Sequence, residues 1–300
     1  MSRLMAKIAS WGSLAFALFS IACGPGAGSD RRSGEGKSVN TNIVFNSNRH
    51  QGRVDIYVMD RDGGSLRQLT KNSGNNWGPQ WNWRDKSKII FVSDRDGGAQ
   101  ELYIMDADGK NQRRLTFTDG IEETWPSISP DGRFALFPRG KVNGRNCSPF
   151  CGPHDIWKKD LVTGEEVNLT NSPASDDLEV WFNADATKIV YTSDRDSLSP
   201  GNGVYDVFVM DADGSHKVNL TKTPDIAEDH AIFNHRGDKI SFARGNLPAS
   251  SGSRDWDIWI MHIDGTNQSG ALPGIRRRTT ARLGRRMTRS LFTKQTSTLT

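Results

Sequence analysis

The limits of this sequence are set first by what it lacks. No apolar run reaches the roughly 20 residues that a membrane-crossing helix needs; the longest, residues 8–21, has about 14. No Gly-x-Ser-x-Gly elbow occurs anywhere, which removes the nucleophile turn of an α/β-hydrolase. Cysteine is sparse, at three in 300 residues. Cys147 and Cys151 flank Ser148-Pro149-Phe150, and in an exported chain such a pair reads as a local disulfide pinning an inserted loop. A metal site using both thiolates with His154 is the alternative, although the spacing matches no strong zinc pattern. After Asn267 there is no acidic residue at all.

That last absence explains the charge. The chain carries a formal +4, yet the excess base sits at its two ends. Arg3 and Lys7 lie near the start, and eight cationic residues follow Asn267. The stretch between them is acidic on balance, so the basic pI is no argument for nucleic acid, and no nucleic-acid partner is expected.

What is present is repetition. A phrase ending in an aromatic recurs five times: Ile43-Val44-Phe45, Ile89-Ile90-Phe91, Ala135-Leu136-Phe137, Ile189-Val190-Tyr191 and Ile240-Ser241-Phe242. Each is followed by a second apolar run, beginning at Asp55, Glu101, Asp155, Asp206 and Asp257. Four copies close on Leu-Thr, at Leu69, Leu115, Leu169 and Leu220, with intervals of 46, 54 and 51 residues. A period in that range means one supersecondary unit per repeat, too small to fold alone. Within a unit, polar turns such as Ser129-Pro130-Asp131-Gly132 and Asp106-Ala107-Asp108-Gly109 separate four short strands, an antiparallel meander. The Asp-x-Asp-Gly turns lack the length and the closing Glu of a calcium loop and read as hairpin turns.

The third strand of each unit says how the meanders pack. One face carries Ile56/Val58, Leu102/Ile104, Val207/Val209 and Ile258/Ile260; the other carries Tyr57/Met59, Tyr103/Met105, Phe208/Met210 and Trp259/Met261. A sheet with one wet face would alternate apolar with polar. Apolar residues on both faces place each sheet between two others, as radial repetition of four-stranded sheets does. The fold class expected is all-β, a β-propeller.

These motifs resemble the TolB-type, WD40-like (PD40-type) propeller repeat of bacteria. Ser93-Asp94-Arg95-Asp96-Gly97, Ser193-Asp194-Arg195-Asp196, and Trp125-Pro126 leading to Ser129–Gly132 carry the likeness, over about residues 42–267. The resemblance implies a TolB-like propeller with five recognisable blades, the first and fifth incomplete, an open arc of a six-bladed ring. It also implies a non-enzymatic role, binding a protein or peptide partner at the cell envelope, with no cofactor. Some propellers resembling this one are polysaccharide lyases with a His-held metal, which is the enzyme alternative. Of six histidines, only His154 and His230 are expected to reach one face together.

The ends divide from the repeats. Residues 1–22 read as an export signal, with Arg3 and Lys7 before the apolar stretch and Ser20-Ile21-Ala22 closing it. The arrangement resembles a bacterial lipoprotein signal, which implies lipidation of Cys23 and a membrane association through that anchor alone. Cleavage after Ala22 to a soluble periplasmic protein is the alternative. Residues 23–40 form a Gly/Ser-rich tether, 41–267 the propeller, and 268–300 an aberrant basic tail. Shifted by one base, the codons of Met287-Thr288 contain one for Asp, and residues 281–288 permit Pro-Ala-Trp-Ser-Pro-Asp-Asp. The tail therefore reads as frameshifted and disordered.

Connectivity puts the long insertions on the same side as the links between blades. Long loops on a rigid scaffold are where binding resides. The binding face expected there comprises Trp77, Glu123, Trp125, His154, Asp177, Glu179, Asp229 and His230, aromatics and carboxylates suited to a peptide or cationic group.

Overall fold

The computed structural model describes residues 43–270, apart from 51, 72–73, 83, 85, 142–152, 198–203 and 247–255. The segments read above as signal and tether, Cys23, Cys147, Cys151 and the residues beyond 270 lie outside the described residues.

Blade one is three-stranded, β1 (Ile43–His50), β2 (Arg53–Met59) and β3 (Arg67–Gln68). Blade two runs β4 (Asn76–Trp81), β5 (Lys88–Ser93), β6 (Glu101–Asp106) and β7 (Arg113–Arg114). In blade three the innermost strand is split into β8 (Ile121–Glu123) and β9 (Ser127–Ile128), both on β10 (Phe134–Lys141), followed by β11 (His154–Asp160) and β12 (Glu166–Asn168). Blade four is β13 (Asp177–Phe182), β14 (Lys188–Ser193), β15 (Asp206–Asp211) and β16 (Val218–Asn219). Blade five is β17 (Ile226–Phe233), β18 (Lys239–Asn246), β19 (Trp256–His262) and β20 (Ser269–Gly270).

Five blades are as expected, and so is the incomplete first one. The fifth differs: it has its fourth strand. Ser269 and Gly270 pair with Ile260 and Trp259 although no Leu-Thr follows. An outermost strand two residues long needs only backbone hydrogen bonds, so side chains that break the repeat do not remove it.

Both faces of the interior sheets are buried. Leu102 is fully buried and Tyr103 nearly so. Ile56, Val58, Ile89, Phe91, Tyr103 and Met105 fill the seam between blades one and two. Leu102, Ile104, Ala135 and Phe137 fill the next seam, and two similar clusters follow. Burying one such side chain is worth about 1.5–3 kcal/mol, which makes the seams the main store of stability. The end of the arc is different. Ile258 is 38% exposed, whereas its counterparts Ile56, Leu102, Ile156 and Val207 are each 0% exposed. No packing comparable to the four seams joins blade five to blade one among the described residues.

The recurring Leu-Thr now has a physical reason. The leucine enters a seam, and the threonine ties the outer strand back to the third. Thr70 Oγ1 accepts from the Ile56 N–H (2.9 Å) and donates to Asp55 (2.8 Å). Thr170 and Thr221 do the same with Ile156 and Asp155, and with Val207 and Asp206. The Asp-x-Asp-Gly turns are hairpin turns: the Gly109 N–H donates to the Asp106 carbonyl, with Gly109 at φ 89°. A Cβ on Gly109 would stand 3.0 Å from the Leu69 carbonyl oxygen, so this turn also packs on the neighbouring blade.

Candidate functional site

The axial rim is set by a backbone irregularity that recurs in every innermost strand. Pairing with the second strand breaks register between Trp77 and Gln80, between Leu178 and Trp181, and between Asp229 and Ile232. In blade three the break separates β8 from β9. At each break one residue takes a left-handed conformation: Gly78 (φ 55°), Trp125 (34°), Glu179 (51°) and His230 (54°). A bulge of this kind re-aims its side chain. Left-handed φ in Trp, Glu and His opposes local sterics and is maintained here by the surrounding sheet.

Neighbouring bulges meet. A Cβ on Gly78 would lie 3.8 Å from the Pro126 ring and 3.9 Å from the Trp125 Cα. Across the seam between blades four and five, His230 Nε2 is 3.3 Å from Glu179 Oε1, and the His230 N–H donates to the same carboxyl group. Asp229 Oδ2 lies 3.5 Å from His230 Nδ1. One ligand atom from each of Glu179, Asp229 and His230 can be chosen so that all three lie within 4.8 Å.

The electrostatics of this trio follow from burial set against mutual charge. Burial works to lower the His230 pKa, but the charges of Glu179 and Asp229 outweigh it and lift it to about 10. Burial, then the charge of Asp229, pushes Glu179 well above the carboxylate range. Burial also acts to raise Asp229, but the hydrogen bond from Glu179 and the His230 charge hold it at about 2. The trio thus holds one carboxyl above its ordinary range and one below, beside an imidazole held above its own. Carboxylates with imidazole suit a divalent cation, which would compete with protons for these ligand atoms.

Three other residues expected on the binding face lie inside the blades. Glu123, the last residue of β8, and Asp177, the first of β13, are fully buried. Glu123 accepts from Arg139 Nε (2.8 Å), Thr116 and Thr118. Asp177 accepts from Arg195 (3.0 Å) and Ser172. Burial raises Glu123 to about 7 against the opposing charge of Arg139. His154 is 1% exposed, with Nδ1 2.8 Å from Asp176 Oδ1 and Nε2 3.6 Å from Glu122. Burial alone would lower its pKa; the bonds to Asp176 and Glu122 raise it to about 9. It is not one of the three clustered residues, so the two histidines do not form the pair expected. Trp77, Trp125, Asp229 and His230 are half-buried at the rim, and Glu179 is buried beneath it.

Sequence reasoning missed the partner of these buried acids. In every blade one arginine stacks on two aromatic rings: Arg49 on Phe45 and Tyr57, Arg95 on Phe91 and Tyr103, Arg139 on Phe137 and Trp157, Arg195 on Tyr191 and Phe208, Arg244 on Phe242 and Trp259. In blades two to five it then reaches the innermost strand, bonding Asn76, Glu123, Asp177 or Glu228. The available signal was an Arg two or four residues after each aromatic-ending phrase.

Blades of antiparallel strands with a common axial bulge define a β-propeller. Residues 36–150 match the family described as the TolB beta propeller domain. TolB from Acinetobacter baumannii superposes with a TM-score of 0.58 at 22% identity, covering 78% of this chain and 53% of that one. The chain thus spans about half the length of that TolB. A protein assigned as TolB from Agrobacterium tumefaciens gives 0.55 at 17%, over 72% of this chain and 73% of that one. An oligogalacturonate lyase in complex with manganese gives 0.54 at 12%, over 77% and 62%. At these identities the likeness establishes the fold. No curated protein matches the chain in sequence.

Proposed function

We propose that this chain is an exported, non-enzymatic propeller, anchored through Cys23, that binds a protein or peptide partner at the bacterial cell envelope. The observation that carries the reading is the axial rim, where the bulges of blades three and five present Trp125 and His230 from rigid strands, with Glu179 of blade four beneath them. An aromatic at one bulge and a carboxylate–imidazole group at two others suit an extended peptide with a cationic or amide group. The test is capture from envelope extract followed by reconstitution with the purified partner. Trp125→Ala with His230→Ala should weaken that complex at least tenfold while leaving the unfolding transition in place. Unchanged affinity would overturn the reading.

The trio Glu179, Asp229 and His230 favours one second reading, a divalent-cation site serving lyase chemistry on uronate oligomers. It predicts stoichiometric metal in the purified protein, tighter at higher pH as protons leave the ligand atoms. It also predicts cleavage of uronate oligomers, lost in Glu179→Gln. Metal-free protein with no cleavage would remove it.

A further inference from the structure

Among the described residues, β1 pairs with β2 on one side and with no strand on the other, so the innermost position of blade one is open. Four filled copies of that position show what it takes. The innermost strand sets Asn76, Glu123, Asp177 or Glu228 opposite the end of the second strand, at Ser93, Arg139, Ser193 and Arg244. Five residues later it sets Trp81, Ile128, Phe182 or Phe233 opposite Ile89, Ala135, Ile189 and Ile240. In blade one the matching positions are Ser47 and Ile43.

The arginine stack is equally informative. Arg95, Arg139, Arg195 and Arg244 are partly buried and bonded to the innermost strand. Arg49 makes the same stack, 5.1 Å from the Phe45 centroid and 4.9 Å from that of Tyr57, and its Nε donates to Ser47 as Arg95 Nε does to Ser93. Its side chain is exposed, and no carboxylate among the described residues bridges to it. A cation is held in place with its acid missing.

We infer that the inner edge of blade one receives an extended strand from a partner protein, with Asp or Glu set on Arg49 and Ser47 and an aromatic or branched apolar residue five positions later opposite Ile43. Backbone pairing along β1 supplies affinity, and the two side-chain positions supply choice. This surface is separate from the rim reading, since Trp125 and His230 belong to other blades.

Charge complementarity argues against the other occupants. Residues 268–300 contain no acid, so none of them offers a side-chain carboxylate to Arg49. A second copy pairing β1 against β1 brings together two strands reading IVFNSNRH, again without an acid.

The test uses the full chain and a fluorescent synthetic peptide copying residues 223–236, which carries the acid of Glu228 five positions before Phe233. The expectation is saturable binding, weakened at least tenfold, or about 1.4 kcal/mol, by Glu228→Lys in the peptide or Arg49→Glu in the protein. Combining the two changes should restore it, which ties the effect to blade one rather than to strand exchange in blade five. The Trp125→Ala/His230→Ala protein should bind the peptide normally, so failure of the rim reading leaves this one standing. Equal affinity in all four charge combinations would overturn the inference. So would absence of binding, or an Arg49-dependent dimer with which the peptide does not compete.

Discussion

Removing the same arginine from two blades should have very different consequences. Arg139 and Arg49 both stack on two aromatic rings. Arg139 is 8% exposed and ion-pairs with Glu123, which is 0% exposed, and with Glu166 at 2.7 Å. Arg139→Ala leaves the Glu123 carboxyl buried without its cation, a change worth about 3–5 kcal/mol when the charge cannot escape. Because burial already lifts Glu123 to about 7, it can take up a proton, so about 3 kcal/mol is expected at neutral pH. The deficit should grow as pH rises, because the unpaired carboxyl must then ionise in place. Arg49→Ala loses an exposed cation–π contact, about 0.5–1 kcal/mol, and a solvent-exposed hydrogen bond to Ser47 that water replaces. With an m-value of about 3 kcal/mol/M, the urea midpoint should fall by about 1 M for Arg139→Ala and about 0.3 M or less for Arg49→Ala. Equal shifts in the two variants would refute the view that the innermost acid, rather than the rings, makes the arginine matter.

His154 should make stability fall with alkali. Its folded pKa of about 9 exceeds its ordinary value, so its contribution is complete below about pH 6.5 and lost as pH rises through about 9. The stability gap between wild type and His154→Gln, measured by urea unfolding, should narrow by about 2–3 kcal/mol from pH 6 to pH 10. Leu102→Ala should cost about 2–5 kcal/mol through the cavity it opens in a seam, whereas Ile258→Ala, at an uncovered flank, should cost less than about 1 kcal/mol. Thermal unfolding of the two side by side checks that contrast. Gly109→Ala should destabilise by about 1–3 kcal/mol, since the turn needs φ 89° and the new methyl would meet Leu69.

What was legible in the sequence was whatever repeats at short range. Leu102 and Tyr103 declare two buried faces by adjacency, and Asp106–Gly109 declares a turn by composition. The long-range partners were not legible. Thr70 bonds Asp55 across 15 residues, and Arg139 bonds Glu123 across 16. Local pattern carries no trace of such a pairing. Glu123 and Asp177 were placed on the binding face because they border the links between blades. The strand begins at or just before them and takes them inside. His154 sits beside an insertion, but β10 and β11 stay paired as far as Gly140 and His154. A Cβ on Gly140 would fall 2.6 Å from the imidazole, so the glycine is what admits the ring. The axial bulge was invisible because its four residues, Gly78, Trp125, Glu179 and His230, share a conformation and no chemistry.

That lack of shared chemistry has a consequence for how such a molecule can change. The bulge is fixed by strand pairing and the arginine stacks, while the residue occupying it ranges from no side chain to an indole, a carboxyl and an imidazole. Framework and lining are therefore written in different letters of the text. A single codon per repeat could retune what the centre of the fan touches, leaving the ribs that hold it open unaltered.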